Sequence, residues 1–262
     1  MQIRKVLTIG GSDPSGGAGI QADIFNLLEL GIFPLSVITS VTAQNSSGIM
    51  TIHNVSHQIV GDQIRAILTD ARPDAAKIGM LGTRENVKTI AEIFEDYGVE
   101  NLVVDPIIEA TDGTILLGPS GSSLMRVRLF PLAKVVTPNI PEAQKLAGFP
   151  IRDFDDMRRA AQAIHLFGSE WVLIKGGHLE GEKCMDILWN GTTYYEYMHE
   201  KVESNVRGTG CVFSSALAAH LAQGVEVPKA VELAEEYVLQ KIKSAYLIGK
   251  GRSQILPMAI KG

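Results

Sequence analysis

The chain lacks most features of secreted, membrane-spanning and nucleic-acid-binding proteins. Its two cysteines, Cys184 and Cys211, are too few for a disulfide framework and do not have the spacing of a zinc site. Twenty-four basic residues stand against 29 acidic ones, so the formal net charge is −5, and no basic run could neutralise a series of phosphates. No apolar run approaches the roughly 20 residues that cross a bilayer, and the first, at 6–9, is too short for a signal peptide. The sequence therefore predicts a cytoplasmic protein with neither nucleic acid nor a membrane as its partner.

What the chain has is the composition of a globular protein with a large core. It is 45% hydrophobic and 20% charged, which excludes intrinsic disorder. Its 262 residues amount to between one and two domains of roughly 150 residues, and α/β chains of this size often fold as one unit. No repeat, low-complexity tract or linker divides the sequence. We therefore predict a single domain over residues 1–262.

Short β-prone runs alternate with segments in which apolar residues recur at helical spacing. Strands are predicted at 5–9, 35–41, 75–78, 101–104, 134–136 and 171–174. Helices are predicted around 20–28, 59–68, 84–97, 121–129, 141–147, 155–167, 211–223 and 228–246. The run 187–195 breaks the alternation, because Asn190-Gly191 between two apolar stretches is typical of a β-hairpin. The pattern predicts a mostly parallel sheet covered by helices on both faces, with ligands bound beyond the carboxyl ends of its strands.

A glycine-rich loop at 10–19 follows the first predicted strand. Gly17, Gly19 and Ala22 match the fingerprint of dinucleotide-binding folds, but the loop is long for that tight turn and no carboxylate follows about 20 residues later. The loop also lacks the Gly-Lys-Ser/Thr ending of a P-loop. Its glycines together with Asp13 favour a backbone that closes over a small ligand, although a flexible connection would have the same composition.

A second glycine-rich turn, at 207–211, precedes a run of small residues that opens a predicted helix. Consecutive backbone N–H groups at a helix start favour an anion, so Gly208, Thr209 and Gly210 are candidates for holding a transferred phosphate. The same field is expected to lower the pKa of the Cys211 thiol and to raise its thiolate fraction. The alternative is an ordinary helix start with a small buried cysteine.

Polar residues follow three other predicted strands. Asp105 comes after the strand at 101–104, Asn139 and Glu142 follow the strand at 134–136, and Lys175 follows the strand at 171–174. Carboxylate and amide oxygens suit magnesium, and a lysine provides a mobile positive charge for phosphates. Each of these residues alone could cap a helix or form a turn. Their shared place at one edge of the sheet favours a site for a nucleotide and its magnesium ion.

Seven segments, taken in order, match the pattern of one known family. They are the residues at 10–23, 41–45, 77–82, 105–106, 137–139, 175–178 and 208–211. As a set they resemble the hydroxymethylpyrimidine and hydroxymethylpyrimidine phosphate kinases of thiamine synthesis, in the ribokinase-like superfamily, over about 6–246. The resemblance implies a ribokinase-like three-layer α/β/α fold with a central mostly parallel sheet, and a homodimer. It also implies magnesium-dependent transfer of the γ-phosphate of ATP to 4-amino-5-hydroxymethyl-2-methylpyrimidine, followed by a second transfer to the monophosphate.

The resemblance further implies roles for individual residues. The pyrimidine substrate would lie against Gly11, Ala18, Asp23, Gln44, Met80 and Ile107. The catalytic anion hole would consist of Gly208, Thr209, Gly210 and Cys211, and Cys211 would be the candidate base. The nucleotide would bind to Asn139, Lys175 and Arg207, and magnesium to Asp105 and Glu142.

Two positions depart from the family pattern. Val206-Arg207 replaces the usual Thr-His pair, and Thr111, with Glu109 nearby, stands where a lysine is usual. Arg207 is expected to restore the positive charge that Thr111 does not supply. Two alternatives stay open, namely a pyridoxal or pyridoxine kinase of the same fold and an inactive ligand-binding homologue. Gln44 favours the pyrimidine, because an amide both donates and accepts hydrogen bonds and so suits a ring nitrogen beside an amino group.

Overall fold

A computed structural model describes residues 3–177, 183–200 and 206–255. Its strands are β1 (Lys5–Ser12), β2 (Phe33–Asn45), β3 (Gly48–Asn54), β4 (Ala75–Ile78), β5 (Leu102–Val104), β6 (Val135–Val136), β7 (Trp171–Ile174), β8 (Lys183–Trp189), β9 (Tyr194–Glu200), β10 (Val206–Arg207) and β11 (Ser253–Gln254). Its helices are α1 (Gly19–Glu29), α2 (His57–Asp70), α3 (Arg84–Tyr97), α4 (Pro119–Arg128), α5 (Ile140–Ala147), α6 (Phe154–His165), α7 (Thr209–Ala222) and α8 (Val227–Lys243). No helix within these described ranges is both long and apolar enough to cross a membrane.

Nine strands form a central sheet in the order β3-β2-β1-β4-β5-β6-β7-β8-β9. Neighbouring strands from β2 to β7 are parallel, whereas β3, β8 and β9 run antiparallel to the strands they pair with. The strand order reverses at β1, which lies between β2 and β4. In open α/β sheets, ligands bind beyond the carboxyl ends of the strands at such a reversal. The topology therefore places a ligand site just beyond Ser12 and Ile78.

Alternate side chains of the central strands enter two separate cores. In β5, Val103 belongs to the core beneath α1, α7 and α8, whereas Leu102 and Val104 belong to the core beneath α2 to α6. Successive side chains of a strand point to opposite faces of the sheet. A strand that is apolar at every position therefore needs helices on both faces, as the sequence predicted.

Two antiparallel hairpins extend the sheet at its edges. The hairpin predicted at 187–195 is present, but it is longer and comprises β8 and β9. β2 continues past its predicted end at 41, because β3 pairs with it as far as Asn45. β3 buries no side chain and so lacks the hydrophobic alternation that identifies a strand. Since β1 ends where Ser12 pairs with Val41, the β2–β3 hairpin carries Gln44 past the sheet edge.

Candidate active site

A cavity of about 690 Å³ opens at the carboxyl ends of the central strands. Its volume lies within the roughly 300–1,000 Å³ of small-molecule sites. The predicted site residues that line it are Gly11, Ala18, Gln44, Met80, Asp105, Ile107, Asn139, Glu142, Lys175, Arg207, Gly208, Thr209, Gly210 and Cys211. The structure thus brings loops from both halves of the chain to one place.

The two glycine-rich loops of the cavity lie directly against each other. A Cβ atom on Gly19, whose φ is +61°, would lie 2.3 Å from the carbonyl oxygen of Gly11. A Cβ atom on Gly208, whose φ is +82°, would lie 2.1 Å from the carbonyl oxygen of Gly17. Both positions combine a left-handed backbone with a backbone contact, so glycine is required there. The contact between Gly208 and Gly17 holds the start of α7 beside the loop after β1.

The first turn of α7 faces the cavity. Gly208 precedes the helix and contributes no side-chain cap, and the first N–H groups of a helix have no partner within it. A Cβ atom on Gly210 would lie 3.6 Å from Asp105 Oδ2 and 3.7 Å from Lys175 Nζ. The start of α7 therefore lies next to a carboxylate and an ammonium group, and a helix N-terminus favours an anion.

The predicted lowering of the Cys211 pKa is wrong. The side chain is 8% exposed, and its burial raises the pKa of the thiol because the thiolate is desolvated. The Lys77 ammonium and the Gly19 backbone N–H act in the opposite direction without cancelling this effect. The loss of water around the sulfur thus has the largest effect on the pKa of the thiol.

An ion pair lies beneath Cys211. Lys77 Nζ is 2.7 Å from Asp23 Oδ2, and the two side chains are 1% and 0% exposed. Burial by itself would lower the pKa of Lys77, but the carboxylates of Asp23 and Asp105 raise it above its ordinary value. Asp23 lies behind Lys77, which lines the cavity, so any effect of Asp23 on a ligand passes through the Lys77 amine. Lys77 was not predicted as a site residue, although a charged residue within the apolar strand β4 is a signal that could have identified it.

Three charged groups meet below the start of α7. Lys175 Nζ lies 3.2 Å from Asp105 Oδ1, and Ser214 donates a hydrogen bond of 3.3 Å to Asp105 Oδ2. Burial raises the pKa of Glu142 to about 8, and the negative charge of Asp105 adds to the shift. Lys175 thus acts on the carboxyl groups of both Asp105 and Glu142, and all three side chains line the cavity.

Asn139 and Glu142 also form the N-terminal cap of α5. Glu142 N donates to Asn139 Oδ1 and Asn139 N donates to Glu142 Oε2, each over 2.9 Å. This reciprocal arrangement is a capping box. Asn139 and Glu142 thus cap a helix, which was one of the alternatives for these residues, and both also line the cavity.

Arg207 has a tighter set of partners than the sequence suggested. Its guanidinium lies 3.1 Å from Asp13 Oδ2 and donates to the carbonyl oxygen of Asn45. The ion pair is almost fully buried, with the Arg207 and Asp13 side chains 10% and 3% exposed. Arg207 therefore ties the glycine loop and the β2–β3 hairpin to the start of α7. Asp13 balances the charge of Arg207. Arg207 therefore does not add an unpaired positive charge near the phosphates, as the sequence had led us to expect.

The loop after β5 covers the cavity beside the β2–β3 hairpin. Ile49 N donates to Asp112 Oδ2 over 3.0 Å, which joins the loop to the hairpin. Glu109 forms an ion pair with Lys145, and Thr111 lines the cavity. His178, the last residue of the quoted Lys-Gly-Gly-His segment, lies outside the described residues.

The end of the cavity near β2 combines apolar and amide groups. Gln44 is half-buried, and its Oε1 accepts a hydrogen bond of 3.2 Å from Thr42. Met80 and Ile107 supply apolar surface, and the absence of a side chain on Gly11 lets Met80 approach, since a Cβ there would lie 2.7 Å from its sulfur. This end suits a flat ring with polar edges.

Known proteins resemble this chain over most of its length. A family model described as phosphomethylpyrimidine kinase matches residues 13–256. The hydroxymethylpyrimidine/phosphomethylpyrimidine kinase of Bacillus subtilis is 38% identical over 263 residues, which cover 100% of this chain and 97% of that protein. A thiamine biosynthesis bifunctional protein of Geobacter sulfurreducens is 42% identical over 252 residues, and the match covers 96% of this chain and 51% of that protein. The chain thus spans about half the length of that bifunctional relative.

A solved structure extends the comparison to the fold. The ADP complex of Bacillus subtilis pyridoxal kinase has a TM-score of 0.90 and 33% sequence identity, and the match covers 98% of this chain and 99% of that one. The ribokinase-like α/β/α fold and the kinase predicted from the sequence are confirmed. The chain belongs to the phosphomethylpyrimidine kinase family.

Proposed function

We propose that this kinase transfers the γ-phosphate of ATP to the hydroxymethyl group of 4-amino-5-hydroxymethyl-2-methylpyrimidine and then phosphorylates the monophosphate. One observation carries the proposal. The start of α7 lies between the ring-sized end of the cavity at Gln44 and the charged cluster of Asp105, Glu142 and Lys175. An acceptor hydroxyl and a donor phosphate bound at these two places would meet at an anion site. A single-domain cytoplasmic homodimer, expected from the sequence, belongs to the same proposal.

The pyrimidine would be held by contacts of two kinds. Met80 and Ile107 offer apolar surface to the ring, and the Gln44 amide offers a donor and an acceptor to the ring nitrogen and amino group. Gly11 and Ala18 keep the backbone close to the ring. The ring would thereby direct its hydroxymethyl group towards Cys211.

Phosphoryl transfer needs positioning and charge stabilisation more than covalent chemistry from the protein. The N–H groups of Thr209 and Gly210 would hold the transferred phosphoryl oxygens, and Lys175 would neutralise charge on the donor phosphates. A loose transition state requires little deprotonation of the attacking hydroxyl beforehand. The thiolate form of Cys211 would accept that proton, and because burial raises the pKa of the thiol, we expect the activity to fall at low pH.

The residues at the charged cluster fit a magnesium ion. Asp105 and Glu142 offer hard oxygen ligands, and burial together with the negative charge of Asp105 raises the pKa of Glu142, so a cation beside the two carboxyl groups would favour their ionised forms. When bound, magnesium would neutralise the charge that develops on the phosphate oxygens. Asp105 is oriented by its contact with Lys175 Nζ and by the hydrogen bond that Ser214 donates.

The test is a direct measurement of product. Purified protein with ATP and magnesium is incubated with the pyrimidine, its monophosphate or pyridoxal, and phosphorylated products are quantified by ³¹P NMR. We expect both pyrimidine compounds to be phosphorylated, and we expect Lys175→Met to abolish turnover. Lys134→Met, which removes an exposed lysine paired with Glu170, is the matched control and should retain activity. Absence of pyrimidine products from folded, ATP-binding protein would refute the proposal.

A pyridoxal kinase is the second candidate, favoured by the close match to the fold of Bacillus subtilis pyridoxal kinase. Pyridoxal has a ring nitrogen and a hydroxymethyl group but no amino group next to that nitrogen. Gln44 would then lose one of its two hydrogen bonds. Preferential turnover of pyridoxal in the same assay, and indifference to Gln44→Leu, would favour this candidate. Binding of both compounds without turnover would identify the inactive homologue.

A further inference from the structure

A second group of reactive side chains lies at the other end of the cavity, away from Gln44. Cys184 and Asp186 are on β8, His199 is on β9, and Glu235 is on α8, and all four line the cavity. Strands β8 and β9 form the opposite edge of the sheet from β2 and β3. None of these side chains has a role in the reaction proposed above.

The strand register brings three of the side chains together. Cys184 and His199 are direct partners in the β8–β9 ladder, so their side chains lie on the same face. Asp186 is two residues further along β8 and shares that face. One potential ligand atom from each of these residues lies within 4.8 Å of the others. The backbone itself therefore holds a sulfur, an imidazole nitrogen and a carboxylate oxygen in one cluster.

The fourth side chain reaches the cluster from the helix layer. Glu235 makes a hydrogen bond with Asp186, so one proton is shared between the two carboxyl groups. Burial, followed by the charge of Asp186, raises the pKa of Glu235 to about 9. Within the described part of the chain, Nδ1 of His199 and Oε1 of Glu235 are buried without a hydrogen-bond partner. Two buried polar atoms at one place indicate a missing partner.

We propose that Cys184, Asp186, His199 and Glu235 form a binding site for a thiophilic divalent cation such as Zn²⁺. Thiolate, imidazole and carboxylate are the ligands that zinc takes in proteins, whereas magnesium avoids sulfur. Ligands of a tetrahedral zinc ion with bonds of roughly 2.0–2.3 Å stand roughly 3.3–3.8 Å apart, so the ligand atoms of Cys184, Asp186 and His199, which lie within 4.8 Å of one another, need inward shifts of about 1 Å. Side-chain rotation supplies shifts of that size. The spacing of the two cysteines in the sequence could not indicate this site, because only Cys184 takes part in it.

Binding of the cation is a proton exchange without electron transfer. The S–H bond of Cys184 breaks, its electron pair forms the bond to the metal, and the proton leaves to solvent. The proton shared by Asp186 and Glu235 leaves in the same way when a carboxylate oxygen binds. His199 binds through a neutral ring nitrogen.

Cobalt(II) is the probe for the test, because cobalt–thiolate coordination gives a charge-transfer band in the near ultraviolet. Full-length protein is freed of metal by a chelator and titrated with Co²⁺, and bound metal is counted by elemental analysis after dialysis. We expect about one ion per chain with the thiolate band, and we expect Zn²⁺ to abolish the band by displacement. Cys184→Ser should remove the band, whereas Cys211→Ser, the matched change at the other cysteine of the sequence, should keep it.

A second variant keeps the test decisive if Cys184→Ser does not fold. His199→Ala should keep the thiolate band but weaken Co²⁺ binding by at least the roughly 10–100-fold that the loss of an outer-shell partner costs. Circular dichroism verifies that each variant is folded. The proposal is overturned if folded wild-type protein shows no thiolate band. It is equally overturned if the band survives in Cys184→Ser or if His199→Ala binds Co²⁺ with unchanged affinity. None of these outcomes depends on the kinase reaction.

Discussion

The Lys77–Asp23 ion pair offers a quantitative test of what holds the floor of the active site. We consider Lys77→Met, which keeps most of the side-chain volume and removes the ammonium group. Asp23 would then stay fully buried with a hydrogen bond from Thr8 and no counter-charge, since its Oδ1 already lacks a partner among the described residues. Removal of one partner of a buried ion pair costs about 3–5 kcal/mol. We therefore expect the free energy of unfolding to fall by about that amount.

A double-mutant cycle separates the ion pair from other effects of the substitution. In Lys77→Met/Asp23→Asn, the amide can still accept the Thr8 hydrogen bond and no buried charge remains. We expect the double variant to be more stable than the sum of the two single changes predicts, by roughly 0.5–3 kcal/mol. Urea denaturation followed by circular dichroism at pH 7 measures all four proteins. Lys134→Met, which breaks an exposed pair with Glu170, should cost no more than about 1 kcal/mol.

The sign of the pH dependence follows from the raised pKa of Lys77. The stabilisation is fully present below the pKa of an unfolded-state lysine, roughly 10.4, and is lost as the pH rises through the higher folded-state value. The difference between wild type and Lys77→Met should thus be constant near neutrality and shrink in strongly alkaline buffer. The reasoning is refuted if Lys77→Met costs no more than Lys134→Met, or if the two changes at 77 and 23 are additive.

Three further predictions concern the ligands and the reaction. Gln44→Leu should weaken pyrimidine binding by roughly 1–3 kcal/mol with the KM for ATP unchanged, and unaltered pyrimidine affinity in a calorimetric titration would exclude the amide as a contact. Cys211→Ala should lower kcat by roughly 10²–10⁴-fold. Wild-type kcat should rise with pH through the neutral range because the pKa of the thiol is raised, whereas kcat of the variant should not change with pH. Wild-type kinetics of Cys211→Ala would exclude Cys211 as the base. Arg207→Ala should raise the KM for ATP because the start of α7 loses its contacts with Asp13 and Asn45. Arg207→Lys should restore only part of the affinity for ATP because lysine lacks the planar guanidinium. Wild-type KM values for Arg207→Ala would contradict this prediction.

Several elements followed directly from local sequence. The bounds predicted for β4, α3 and β7 are those observed, at Ala75–Ile78, Arg84–Tyr97 and Trp171–Ile174. In each, apolar periodicity agrees with the local end signals, such as the Thr83 cap and the left-handed Gly98 around α3. The association of the site loops was also predictable, because the carboxyl ends of parallel strands meet at one edge of a sheet.

Elements that depend on distant partners were not predictable in this way. β3 is an exposed edge strand that forms only by pairing with β2, and its side chains carry no hydrophobic alternation. β10 and β11 are two residues each and pair across almost fifty residues of sequence, which places Gln254 against Gly17 in the glycine loop. Strands that are very short or exposed have too few buried apolar side chains for their pattern to reveal them.

The sequence by itself determined the alternating fold, the family and many of the residues that line the cavity, because these depend on local periodicity and on short motifs. Only the tertiary structure decided the electrostatic surroundings of those residues. Burial raises the pKa of Cys211, Asp13 forms an ion pair with Arg207, and Lys77 separates Asp23 from the cavity. The cross-strand register likewise decided that Cys184 meets His199. Desolvation and pairing depend on neighbours that are remote in the chain, so no local pattern encodes them.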